Sequence, residues 1–407
     1  MIDFLTRATK RLLGFGASTL VVGLSNVLVI PLIVENASAA GWASIALAQS
    51  IGTIGAIIVA FGWGAVGPAL IAGSDQRTRH LEYAQSVVVR VSLFIPCAIG
   101  CIAITTTIVS EFEAAAVLMS ASSCAIGLSA IWYFVGSSDP RALFLSDTIP
   151  RTLGLVTGIV ALICTQQLIW YAAIQLSAAL AAFSVSSIVI LRRPNSTKRY
   201  ELRPAPLLRS MRKQYVGIGT GMTSAAYQAL PTVLVGMFAP LGLAQFALAD
   251  RIQKLSNTAL RPVSQTMQGW VPALGTPSRD RVKRALVFSA TAGLMAGSVL
   301  ALAGPAIGDI LGSNQIEIDL ALSLPVGLTL CLSIISQCSG MACLMALGKS
   351  AHVLFSSLAG AAVCVPLCVG LSSAFGAPGA AWSIAIAESI VTVYQLAILG
   401  VHFRASR

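Results

Sequence analysis

Charged residues are scarce in this 407-residue chain, where lysine, arginine, aspartate and glutamate together make up 10% of the sequence. Soluble domains carry about 25%. Hydrophobic residues account for 56% of the chain, and its mean hydropathy is +0.83. This composition excludes a soluble globular protein and predicts an all-α, polytopic membrane protein.

The sequence also lacks the motifs of several catalytic classes. It contains three histidines, and no Walker motif, glycine-rich nucleotide loop or metal-ligand cluster is present. We therefore expect no cofactor, no metal and no ATPase activity within this chain. All nine cysteines lie in apolar segments, where cysteine behaves as a small hydrophobic residue, so we expect no disulfide or metal-binding role for them.

Twelve apolar segments are long enough to cross a bilayer, which takes about 20 residues of helix. We predict spans at 12–34, 43–72, 86–109, 114–135, 147–166, 168–191, 214–238, 243–273, 285–307, 320–347, 351–374 and 379–402. The break at 165–167 contains no glycine or proline, but without it one helix would be implausibly long. The break also places the basic stretch 192–213 on the same side of the membrane as the N-terminus.

Lysine and arginine are concentrated at the termini and in the predicted inner connections, and no predicted outer connection contains either residue. This distribution follows the positive-inside rule and predicts that both termini are cytoplasmic. The net charge of +11 therefore reflects mainly the topology and a solvated inner surface. We do not expect the chain to bind nucleic acid.

Two halves of the chain resemble each other. Residues 41–51 match residues 242–252 at six of eleven positions. Further along, the pairs that correspond are Pro68 with Pro272, Arg77 with Arg279, and Arg79 with Arg281. We predict two six-helix lobes, 1–197 and 214–407, joined by a basic cytoplasmic linker at 198–213. Because six is even, both lobes share one membrane orientation, which is typical of transporters with a central site between parallel repeats.

One predicted span, 243–273, carries a row of hydrophilic residues. They are Asp250, Lys254, Asn257, Arg261 and Gln268. At about 100° per residue these positions fall within about 60° of one another on a single helix. A charge at bilayer depth costs about 2.5 to 3.5 kcal/mol, so this face must line a wet cavity or meet a partner. We predict a polar, cationic interior.

Several of the membrane charges have two interpretations. Asp250 and Lys254 have the spacing of a structural ion pair, whereas Arg261 lacks a local acid and is assigned to the cavity. Arg90 lies near the inner end of its span, where it either reaches the membrane interface or contacts a phosphate. Glu388 either neutralises a cavity cation or titrates as an ion-coupling group. Pro262, directly after Arg261, predicts a local bend.

The stretch Trp-Tyr-Phe-Val-Gly at 132–136 resembles the Trp-aromatic-Phe-x-Gly signature of Wzx-like polysaccharide flippases of the multidrug/oligosaccharidyl-lipid/polysaccharide (MOP) superfamily. The paired Gly-x-Ala-x-x-Ala-Leu-Ala segments are similar to that superfamily's second and eighth helices. The resemblance implies a V-shaped, two-lobed fold with a central cavity. It implies that the chain moves an undecaprenyl-diphosphate-linked oligosaccharide, an O-antigen (lipopolysaccharide) or exopolysaccharide repeat unit, to the outer leaflet of the bacterial inner membrane. Membrane lipid, a polysaccharide polymerase and assembly proteins are the further partners that it suggests.

A lipid-linked diphosphate sugar combines concentrated negative charge with many hydroxyl groups, which cations and amides respectively bind. The predicted substrate-binding residues are Lys254, Arg261, Asn257, Gln268 and Arg90. The predicted ion-coupling or counterion residues are Asp250 and Glu388.

Three other functions compete with this one. A cation-coupled multidrug exporter of the same superfamily should favour membrane-embedded acids, whereas the hydrophilic face here is net cationic. A lipid II flippase would commonly have fourteen spans, two more than we predict. A membrane polysaccharide polymerase or ligase would be an enzyme with a substantial outer active site, yet the predicted outer turns are short and lack lysine, arginine and histidine.

Overall fold

The computed structural model describes residues 2–192, 229–272 and 278–405, apart from the side chains of 2–26, 262, 263, 269 and 405. The predicted linker 198–213 and most of the predicted span 214–238 lie outside these residues. The described chain is built from helices, which confirms the all-α class. It forms two compact units, Met1–Ala229 and Leu230–Arg407. The lobe boundaries at 197 and 214 stay a prediction.

The first unit contains eight α-helices among its described residues. They are α1 (Ile2–Ala60), α2 (Trp63–Ala72), α3 (Gln76–Ile108), α4 (Glu113–Ala125), α5 (Ile131–Gly136), α6 (Pro140–Leu143), α7 (Ile149–Thr165) and α8 (Leu168–Leu191). A 3₁₀ turn, Ile126–Leu128, follows α4, and a π-helical segment, Phe144–Thr148, joins α6 to α7.

The described part of the second unit contains six α-helices. They are α9 (Leu230–Phe238), α10 (Leu243–Ala259), α11 (Arg261–Trp270), α12 (Arg279–Leu311), α13 (Leu320–Gln337) and α14 (Ser350–Ala405). A 3₁₀ turn, Pro240–Gly242, precedes α10, and a π-helical segment, Cys338–Leu344, continues α13.

Eight helical segments in the described residues are long and apolar enough to cross a membrane. They are Val27–Ala72, Gln76–Ile108, Glu113–Gly136, Pro140–Thr165, Leu168–Leu191, Arg279–Leu311, Leu320–Leu344 and Ser350–Arg404. The chain is therefore a multi-pass membrane protein. The count of twelve spans stays a prediction.

The two longest helices are each interrupted by one residue with a positive φ angle. α14 has 56 residues, and at about 1.5 Å per residue it would far exceed a hydrocarbon core of about 30 Å if it were straight. Gly376, at φ 64°, interrupts it between the predicted spans 351–374 and 379–402. Ser38, at φ 63°, interrupts α1 between the predicted spans 12–34 and 43–72. Each of these helices therefore divides where the sequence predicts a turn.

The predicted break at 165–167 is confirmed. α7 ends at Thr165 and α8 begins at Leu168, with Gln166 in the left-handed conformation at φ 55°. The side-chain amide of Gln166 donates to Asn36 Oδ1 at 2.7 Å and to the Ile163 carbonyl at 3.0 Å. These hydrogen bonds hold the turn without the glycine that normally permits this backbone conformation.

Three of the predicted spans are interrupted within their length. Span 43–72 breaks at Phe61 and Gly62, where Gly62 adopts φ 83°, a value that a residue without a Cβ tolerates. Span 114–135 breaks at 126–130, and span 243–273 breaks at Leu260. The last two breaks lie beside predicted site residues.

One helix length and one arginine contact occur in both units, and the internal duplication stays a prediction. α3 and α12 both have 33 residues. Near the start of α3, Arg79 Nε donates to the Ser74 carbonyl at 2.9 Å, and near the start of α12, Arg281 Nη1 donates to the Val271 carbonyl at 3.2 Å. Each arginine thus binds a carbonyl in the turn that follows the preceding helix, a group that the helix itself leaves unpaired.

Glycines allow α12 and α13 to pack with their backbones in contact. A Cβ atom at Gly297 would lie 2.5 Å from the Gly327 carbonyl oxygen, and one at Gly327 would lie 2.4 Å from the Gly297 carbonyl oxygen. Helix pairs in membranes gain stability from this close packing, because lipid supplies little hydrophobic driving force between helices.

We expect Gly297→Ala to destabilise the second unit by about 1 to 3 kcal/mol, because the new methyl group meets backbone atoms that cannot move aside. Gly370→Ala on α14 is the matched control, since no described atom lies within 4 Å of the added Cβ there. Thermal unfolding of the purified proteins in detergent compares them. Equal melting temperatures for the two variants would contradict this packing.

Candidate functional site

The hydrophilic segment of the second unit consists of two helices. α10 carries Asp250, Lys254 and Asn257, and α11 begins with Arg261. Pro262 has no N–H group to donate to the carbonyl four residues earlier, which favours the end of α10 just before this position. The bend predicted at Pro262 is present as a break at Leu260, which divides the predicted hydrophilic face between α10 and α11.

Asp250 and Lys254 form an ion pair on α10, with Lys254 Nζ 2.5 Å from Asp250 Oδ2. This is the structural alternative that the i, i+4 spacing predicts. The lysine side chain is 35% exposed and the aspartate side chain 17% exposed. The ion pair neutralises part of the local charge, and the lysine side chain stays partly exposed.

Arg261 is exposed at the start of α11. Among the residues that the structure describes, none forms a hydrogen bond or an ion pair with its side chain. A guanidinium group carries five N–H donors in a planar arrangement that matches phosphate oxygens. Arg261 is therefore the cation of this segment best placed to bind an anion.

One amide and one hydroxyl group of this segment are linked to α13. Gln337 Nε2 donates to Asn257 Oδ1 at 2.9 Å, and Gln337 Oε1 accepts a hydrogen bond from Ser264 Oγ at 3.1 Å. Gln268 is partly buried on α11. Sequence reasoning missed Gln337, although an amide beside Ser336 within the apolar stretch 320–347 was a signal that could have identified it.

Glu388 on α14 accepts a hydrogen bond from Ser336 Oγ at 2.5 Å. No described lysine or arginine forms an ion pair with it, so the predicted counterion role has no supporting contact here. A second polar cluster lies nearby, where Ser339 Oγ donates to Gln395 Oε1 at 2.6 Å and Gln395 Nε2 donates to Ser356 Oγ at 2.9 Å.

Arg90, in the first unit, is 1% exposed and is surrounded by hydrogen-bond acceptors. Its Nη1 donates to the Ser129 carbonyl at 2.8 Å and to the Gly127 carbonyl at 3.4 Å. Its Nη2 donates to Ser86 Oγ at 3.2 Å. These carbonyls belong to the break between α4 and α5, where no helical N–H reaches them. Arg90 thus supplies donors that the interrupted helix lacks.

Aromatic rings cover the remaining faces of the Arg90 guanidinium. Its central carbon lies 5.6 Å from the ring centre of Trp132 and 6.0 Å from that of Tyr83. Trp132 belongs to the 132–136 motif, whose aromatic residues pack in the core of this unit. Cation–π attraction and burial favour a structural role for Arg90 over the predicted phosphate contact. Its substrate-binding role is untested.

Ser129 connects Arg90 to a second buried charge. The Ser129 hydroxyl donates to Asp147 Oδ1 at 3.0 Å, and Asp147 forms an ion pair with Arg151 Nε at 3.0 Å. Sequence reasoning did not select Asp147 and Arg151, although their i, i+4 spacing was the available signal. Asp147 lies in the π-helical segment Phe144–Thr148, so this network joins two irregular parts of the first unit.

Solved structures of membrane transporters share this fold. A structure of the lipid II flippase MurJ in an inward closed conformation aligns with a TM-score of 0.69 and 14% identity, covering 94% of this chain and 86% of MurJ. A structure of the MATE multidrug transporter DinF-BH aligns with a TM-score of 0.57 and 15% identity, covering 95% and 94% of the two chains. An inward-facing multidrug resistance MATE family transporter of the MOP superfamily aligns with a TM-score of 0.56 and 12% identity, covering 96% of each chain.

No protein-family model matches the sequence, and no curated protein is significantly similar to it. Structural similarity at these identities establishes the fold alone. The chain therefore has the fold of MOP-superfamily transporters, a fold that lipid flippases and drug exporters have in common.

We expect Arg90→Lys to lower the melting temperature of the protein in detergent. A lysine ammonium cannot reach all the acceptors that Arg90 binds, and each buried carbonyl left unpaired costs about 1 to 3 kcal/mol. Arg141→Lys, at an exposed position of the same unit, is the control and should change stability by less than about 0.5 kcal/mol. A melting temperature for Arg90→Lys equal to that of the control would contradict the structural role.

Proposed function

We propose that this chain is a flippase that moves an undecaprenyl-diphosphate-linked oligosaccharide from the inner to the outer leaflet of the bacterial inner membrane by alternating access. The observation that carries this proposal is the exposed Arg261, which no acid neutralises among the described residues, on a segment where Lys254 is partly exposed. The repeat unit is an O-antigen or exopolysaccharide unit, and an ion gradient drives its movement.

The chemistry of this segment suits a diphosphate headgroup. Arg261 can bind two phosphate oxygens at once, and Lys254 adds a second positive charge that its pairing with Asp250 only partly cancels. Asn257 and Gln268 offer amide groups to sugar hydroxyls. The polyprenyl tail can stay in lipid while these contacts offset the loss of water around the headgroup. A lipid II flippase with the same fold supports a lipid-linked substrate for this chain.

A cation-coupled multidrug exporter is the second candidate, because the MATE transporters share the fold over nearly the whole chain. Its supporting observation is Glu388, a membrane-embedded acid without an ion-pair partner among the described residues. Against this candidate, Asp250 is already paired with Lys254 and the exposed charge of the segment is positive. A membrane polymerase or ligase receives no support from these transporter structures.

We expect Arg261→Ala to slow the flipping of a fluorescent undecaprenyl-diphosphate disaccharide in proteoliposomes by about tenfold or more, because a charge-assisted hydrogen bond contributes about 1.5 to 3 kcal/mol. Lys254→Ala should slow it less, since Asp250 competes for the lysine. Arg284→Ala, at an exposed arginine of the same unit, is the control and should flip at the wild-type rate. Wild-type flipping by the Lys254→Ala, Arg261→Ala double variant would contradict a cationic site.

A variant of Glu388 tests proton coupling separately from substrate binding. If Glu388 carries the coupling proton, Glu388→Gln should retain flipping down a substrate gradient and lose stimulation by an imposed proton gradient. Glu317→Gln, at an exposed acid near the start of α13, should keep that stimulation. Flipping is measured in proteoliposomes with and without a pH difference across the membrane. Full stimulation of Glu388→Gln would exclude this residue as the coupling group.

A further inference from the structure

The break at Leu260 is bridged by a side chain from another helix. Asn257 lies on α10 and Ser264 on α11, so the two residues flank the break. Gln337, the last residue of α13, hydrogen-bonds both of them through the two ends of one amide group. Ser264 is 4% exposed, so its hydroxyl depends on a protein partner.

This bridge restrains the part of the segment that carries the cations. A helix break at proline leaves the angle between the two parts free to vary unless other contacts define it. Asn257 lies one helical turn from Lys254 on one side and one turn from Arg261 on the other. The hydrogen bonds of Gln337 therefore restrain the angle between α10 and α11 close to Lys254 and Arg261.

We propose that Gln337 is a positioning residue that fixes the angle between α10 and α11 and thereby directs Arg261 toward an anionic ligand, a role that rests on the proposed function. Gln337 does not contact the ligand in this role. When its amide releases either Asn257 or Ser264, α11 changes its tilt and moves the Arg261 guanidinium.

Three variants separate this role from a general effect of losing a hydrogen-bonded amide. Gln337→Met removes both hydrogen bonds at similar volume. Gln337→Glu keeps the hydrogen bond from Ser264. It can also accept a hydrogen bond from the Asn257 side-chain amide once that amide rotates by 180°, so this variant should retain the wild-type restraint on the break. Gln395→Met is the matched control, because Gln395 also links two partners in the same unit, Ser339 and Ser356, neither of which is on α10 or α11.

Hydrogen exchange of the full-length protein in detergent, followed by mass spectrometry, reports on the break without any substrate. We expect Gln337→Met to speed amide exchange in residues 257–264 by about fivefold or more, since each lost bond contributes about 1 kcal/mol. Gln337→Glu should exchange like the wild type in this segment, and so should Gln395→Met. Unchanged exchange in Gln337→Met, or an equal increase in Gln395→Met, overturns the proposal.

Binding of undecaprenyl diphosphate, measured by native mass spectrometry, then tests the link to Arg261. Gln337→Met should weaken binding about fivefold in the wild-type background and not at all in the Arg261→Ala background, because a residue that acts through Arg261 has no effect without it. If Gln337→Met weakens binding by the same factor in both backgrounds, the positioning role is overturned. If the wild-type protein does not bind undecaprenyl diphosphate, the proposed function fails, and the exchange experiment still decides whether Gln337 holds the break.

Discussion

Backbone groups inside a bilayer have no water to bind, so each carbonyl that a helix break releases needs a donor from the protein itself. One break in the first unit meets this requirement directly. At the break between α4 and α5, the Arg90 guanidinium supplies the donors for the Gly127 and Ser129 carbonyls. Beside the break between α10 and α11, Gln337 bonds a residue on each helix. A polar residue from a neighbouring helix thus accompanies both interruptions.

Arg90 and Arg261 have opposite environments in the two units. Arg90 is buried, donates hydrogen bonds to backbone carbonyls and packs against Trp132. Its guanidinium group is therefore fully occupied by contacts within the protein. Arg261 is exposed at the start of α11 and has no acid partner among the described residues. The two arginines therefore differ in burial and in partners. This contrast is the physical basis for proposing anion binding in the second unit.

The neighbouring polar residues of the second unit form two clusters with different partners. One joins Asn257, Gln337 and Ser264 beside the cationic segment. The other joins Ser339, Gln395 and Ser356, next to Glu388 and its partner Ser336. Buried polar groups of this kind define one packing arrangement strongly, because each unpaired member is costly in an apolar environment. They also make a change of conformation depend on exchanging specific hydrogen bonds.

The amino-acid sequence by itself determined the membrane class, the turn at 165–167 and the placement of cations near Pro262. These properties depend on composition, on the length of apolar runs and on the missing N–H of proline, all of which are local. Only the tertiary structure decided that Arg90 is buried while Arg261 is exposed, and that Gln337 joins α10 to α11. The partners of these side chains come from helices distant in sequence, and hydropathy or helical spacing carries no information about which distant groups meet.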